Sequence, residues 1–97
     1  MTKSHIDSYE ILIAKVNLAV GYVFLEDFKK ATSLLDELCV STLESNNLFL
    51  YSNSLELAAQ NSILSGDYIA AEKFLAKAKK ALSSSETIDA YYLQKDQ

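Results

Sequence analysis

Ser65–Leu82 reads SGDYIAAEKFLAKAKKAL, and forty residues upstream Leu25–Leu38 reads LEDFKKATSLLDEL. Sliding one over the other pairs Asp27 with Asp67, Phe28 with Tyr68, Ala31 with Ala71, Leu35 with Leu75 and Leu38 with Ala78. The same shift pairs Leu18 with Ala58, Ala19 with Ala59, Val23 with Ile63 and Phe24 with Leu64. A further shift reaches the tail, where Ile11, Tyr51 and Tyr91 align, as do Ser8, Leu48 and Ile88. A repeat of this length marks a stack of supersecondary units, each too small to bury its apolar face alone.

Within each unit the apolar spacing is helical. Phe28, Ala31, Leu35 and Leu38, and then Tyr68, Ala71, Leu75, Ala78 and Leu82, follow steps of three and four residues that line one helix face. Capping signals divide the chain. Ser4 is placed to cap a first helix running to about Leu25, and Glu26-Asp27 opens a second that runs to about Leu43. Ser45-Asn46-Asn47 separates it from a third that ends near Ser65-Gly66, where glycine suits a left-handed closing residue. Asp67 caps the fourth, and Ser83–Glu86 holds the Ser-x-x-Glu pattern of a capping box before a fifth. Connections this short force antiparallel neighbours. The expectation is an all-α chain, residues 1–97 as one domain: two stacked helical hairpins (about 5–44 and about 46–83) plus a capping or unfinished unit at about 85–95.

Composition agrees. There is no proline, only Gly21 and Gly66 break the pattern, and 49% of residues are hydrophobic. All 9 basic residues are lysine and the net charge is −4, which argues against nucleic acid as a partner. Met1–Glu10 is polar, without the apolar run of a secretory signal, and Ile11–Leu25 is too short to span a membrane and carries Lys15 and Asn17. A lone Cys39 forms no internal disulfide and suits a reducing interior, so a cytoplasmic location is expected.

The residues that repeat resemble the tetratricopeptide repeat. Its first helix carries Leu-Gly-x-x-Tyr and its second Gly-Asp-Tyr-x-x-Ala-x-x-x-Phe-x-x-Ala. Here Leu18-Ala19-x-x-Tyr22 precedes Asp27-Phe28-x-x-Ala31-x-x-x-Leu35-x-x-Leu38, and Ala58-Ala59 precedes Gly66-Asp67-Tyr68-x-x-Ala71-x-x-x-Leu75-x-x-Ala78. Two features depart from the pattern: a spacing of 40 rather than about 34, and no closing proline. Longer, proline-poor repeats of this kind are similar to those in the C-terminal domains of bacterial peptide-sensing transcription regulators. The resemblance implies small residues at Ala19, Ala31, Ala59 and Ala71 where helices cross.

It also implies a ligand groove lined by the first helix of each unit. Its positions are Ile13, Val16, Asn17, Val20 and Val23, then Asn53, Glu56, Leu57, Gln60 and Ile63. Asn17, Asn53 and Gln60 suit hydrogen bonding to an extended peptide backbone. The competing reading has these amides merely facing water. The function expected is a non-catalytic protein- or peptide-binding module. Its rivals are a homo-oligomerisation domain and the sensor segment of a larger peptide-responsive regulator. Self-association is expected because two and a half units fall short of the roughly three such stacks need.

No catalytic residue, metal site or cofactor is expected. His5 is the only histidine, Cys39 lacks a partner for a dyad and reads as a small buried hydrophobe, and Asp36-Glu37 diverge on a helix. Lys73, Lys77 and Lys80 form a solvated stripe, and Tyr9 and Phe49 are expected in the core.

Overall fold

The computed structural model describes residues 8–83. They form α1 (Tyr9–Phe24), α2 (Phe28–Glu44), α3 (Leu48–Ser65) and α4 (Tyr68–Ser83), with no strand among the described residues. The fifth helix expected around Ile88, Tyr91, Tyr92 and Leu93 lies outside the described residues, as do His5 and the Ser-x-x-Glu signal. The expected cap Ser4 also lies outside them, and the cap of α1 is Ser8, whose side chain accepts from the Ile11 N–H at 3.3 Å.

One device, used three times, makes all the connections between the described helices. Glu26 (φ 59°), Asn46 (φ 57°) and Gly66 (φ 91°) close α1, α2 and α3 in the left-handed region. The next residue turns its N–H back to the carbonyl five residues earlier: Asp27 to Tyr22 at 2.9 Å, Asn47 to Thr42 at 2.9 Å, Asp67 to Ser62 at 2.8 Å. That same residue then begins the following helix. The Asp27, Asn47 and Asp67 side chains accept from the N–H groups of Lys30, Leu50 and Ala70 at 3.4, 3.0 and 3.1 Å. Each turn therefore satisfies orphan groups of two helices with a single residue, and reverses the chain within three.

Antiparallel neighbours result. α1 packs on α2, α2 on α3 and α3 on α4, while α1 also reaches α3. This is an all-α, solenoid-like arrangement in which the backbones of α2 and α4 make no close contact. The core runs through Leu12, Ala19, Val23, Ala31, Leu35, Leu38, Leu50 and Ala58. Ala19 and Ala31 are fully enclosed, so any larger side chain there would separate the helices. Three buried hydroxyls are satisfied within their own helices: Thr42, Ser54 and Ser62 donate to the carbonyls of Leu38, Leu50 and Ala58 at 2.7, 2.8 and 2.9 Å, whereas Ser45 Oγ at the end of α2 is buried without a partner. Across the α1–α2 pair, Lys15 donates to the Glu37 carboxylate.

The repeat's apolar stripe holds in α2 and shifts in α4. Ala31, Leu35 and Leu38 are buried as expected. In α4 Ala71 and Ala78 are buried and Phe74 packs against the core, whereas Tyr68 and Leu75 are exposed. Leu35 lies beneath α3 at 1% exposure, and its counterpart Leu75, with no described helix over it, stands at 47%. Tyr9 and Phe49 are likewise not core: they are 60% and 63% exposed, and Leu12 and Leu50 fill the first-turn core positions instead.

Candidate binding groove

The short turns set α1 and α3 side by side. Between them lies a shallow depression of about 320 Å³, lined by Val16, Val20, Asn53, Glu56, Leu57 and Gln60. Towards the C-terminal ends of both helices it continues into a second hollow of about 280 Å³, where Val23, Phe24, Glu26 and Leu64 join Val20, Leu57 and Gln60. The shared residues make this one open trough. Val20 and Leu57 lie near its middle and contribute apolar surface, while Asn53 and Gln60 supply amides from α3. All of its ionised groups are carboxylates, Glu56 and Glu26.

The residues expected to form a groove divide into two groups. Val16, Val20, Val23, Asn53, Glu56, Leu57 and Gln60 line the trough. Ile13 does not; it is half-buried against the core. Asn17 and Ile63 are exposed and line neither part. A helix turns about 100° per residue, so Asn17 sits a quarter-turn round from Val16 and misses the seam. Phe24 and Leu64 were absent from the expected groove, although the repeat pairs them. The signal was the i+4 step from Val20 to Phe24 and from Gln60 to Leu64, which continues one helix face.

Cys39 is half-buried rather than enclosed. Burial, reinforced by Asp36 and partly offset by Lys77, pushes its thiol from an ordinary 9.0 up to about 11. It is protonated at neutral pH, and a protonated thiol is a poor nucleophile. Among the described residues no three His, Cys, Asp or Glu side chains gather where they could hold a metal ion, and no helix is long and apolar enough to cross a membrane.

Compared with known families, with curated proteins and with solved structures, the chain matches none.

Proposed function

We propose that this chain is a non-catalytic protein- or peptide-binding module, a tetratricopeptide-like unit that takes an extended segment in the trough between α1 and α3. The observation that carries this reading is the mixture along one seam: apolar side chains of Val16, Val20 and Leu57 beside the amides of Asn53 and Gln60. An extended peptide needs both, since its side chains seek apolar pockets and its backbone groups must remain hydrogen-bonded. Glu56 and Glu26 turn the preference toward neutral or basic segments with apolar side chains. With no arginine and a net charge of −4, nucleic acid is not the proposed partner.

A library of extended heptapeptides, selected on the purified chain, tests this. Apolar, neutral-to-basic sequences should be enriched. Replacing Asn53 and Gln60 together by alanine should weaken the selected peptides by about 1 kcal/mol per lost hydrogen bond, while Asn17→Ala leaves binding unchanged. Enrichment of nothing, or equal binding by the double variant, would refute the groove.

A second reading, homo-oligomerisation, draws on the exposed apolar surface. Phe24 is 85% exposed beside Leu25, and Ile69 and Leu75 stand out on α4. In sedimentation equilibrium a dimer that Phe24→Asp dissociates would favour it; a monomer at micromolar concentration would exclude it.

A further inference from the structure

Away from the trough, and sharing no residue with it, α2, α3 and α4 line a partly open cavity of about 200 Å³ whose walls include Thr32, Asp36, Asn61, Ser65, Asp67 and Phe74. Asn61 is the telling residue. It is 3% exposed, its Nδ2 donates to Thr32 Oγ1 at 3.0 Å, and its Oδ1 is buried with no donor. Buried carbonyl oxygens are ordinarily satisfied, so one left open beside a cavity marks a place for a donor.

Few donors come from the cavity wall itself. Ser62 and Ser65 spend their hydroxyl protons on the carbonyls of Ala58 and Ser62 at 2.9 and 3.1 Å. Asp67 accepts from the Ala70 N–H through Oδ1 only, and Asp36 adds a second carboxylate. The lining holds no lysine. Acceptors of negative charge thus surround an unanswered neutral acceptor, while Leu35, Ala58, Ala70 and Phe74 offer apolar wall.

We infer that this cavity binds a primary ammonium group on an aliphatic stem, either a free amine or a lysine side chain of a partner protein. An ammonium carries three donors on a compact charge, one for Asn61 Oδ1 and the others for the carboxylates, and its stem lies along Phe74. A guanidinium fits less well: its planar fork seeks a bidentate carboxylate, and the buried acceptor here is a single oxygen. A calcium ion needs six or more oxygen ligands, which this lining does not gather. The inference is independent of the proposed trough, so either stands if the other fails.

The ¹⁵N-labelled full chain, titrated with n-butylammonium chloride, provides the test. Saturable shifts are expected at the Asn61 side-chain amide and at the backbone amides of Thr32, Asp36 and Asp67, with none from n-butanol or from sodium chloride at equal ionic strength. Asp36→Asn, a surface change that leaves the core intact, should weaken binding roughly two- to five-fold. A blocked Ala-Lys-Ala peptide, against its norleucine counterpart, separates the two sources. Tighter binding of the lysine peptide than of butylammonium identifies a protein side chain, and the reverse identifies a free amine. Shifts that fail to saturate, shifts reproduced by n-butanol or salt, or an affinity unchanged in Asp36→Asn would overturn the inference.

Discussion

Glu26 and Gly66 occupy the same place in the repeat and the same left-handed backbone region, but only one of them is suited to it. A residue with a Cβ costs about 1–2 kcal/mol in that region. Gly66 avoids this, and a Cβ added to it would meet nothing within 4 Å, so its requirement is conformational alone. Glu26→Gly should therefore stabilise the chain by about 1 kcal/mol, less some loss from the freer unfolded chain, seen as a higher urea midpoint. Cys39 is governed by burial instead. With its thiol raised to about 11, iodoacetamide at pH 7 should label it far more slowly than it labels a free cysteine, and at the free rate once urea unfolds the chain. Because the folded state keeps this proton to higher pH than the unfolded state does, the thiol's contribution to stability is complete below about pH 9 and declines from there toward 11. Equal labelling in both states would contradict the assignment.

At the scale of the helix, position in the stack outweighs position in the repeat. Leu35 on α2 is covered by α3, while Leu75, its counterpart on α4, is half in solvent. Leu35→Ala should cost about 2–5 kcal/mol through lost transfer energy and a cavity, and Leu75→Ala much less, within about 1 kcal/mol. Chemical denaturation of the two variants checks this, and equal losses would mean that α4 is covered after all. The same contrast explains which elements were legible. Asp27, Asn47, Gly66 and Asp67 mark helix ends through local hydrogen bonds and local dihedral angles, so the sequence reveals them. Ser4 and Ser8 are chemically equivalent caps, and choosing between them requires knowing that Leu12, one turn beyond Ser8, is the first buried side chain of the described chain.

At the scale of the molecule, the repeat disclosed the four described helices and half-disclosed the trough. Two like hairpins joined by short turns must bring their first helices together, which is why Val16, Val20, Asn53, Glu56 and Gln60 were recognisable as neighbours. Rotation about the helix axis was not recognisable, so Asn17 and Ile63 fall outside the seam and Phe24 and Leu64 fall within it. Nor did repeat arithmetic foresee Tyr9, Phe49, Tyr68 and Leu75 exposed, because it treats copies as equal whatever described helix packs over each. The polar cavity was invisible for another reason. Asn61, Asp36 and Asp67 belong to three elements and form no pattern along the chain; only the packing of α2, α3 and α4 assembles them.

Since α2 and α4 make no close backbone contact, and α3 packs on each of the other described helices, the described residues hold together mainly through one wedge. Removing α4 leaves α1, α2 and α3 mutually packed; removing α3 leaves α4 with no described helix in close backbone contact. Local opening should follow that hierarchy, with α4 detaching as a unit at lower free energy than any event that frees α3. In native-state hydrogen exchange under mild denaturant, the amides of Leu55–Ala59 should be the slowest to exchange and to report the global unfolding energy. Those of Ala71–Ala78 should merge with them only near the unfolding midpoint. The trough leans on the durable part of this hierarchy and the polar cavity on its hinge, so an amine that settles against α4 would also decide how often that helix lets go.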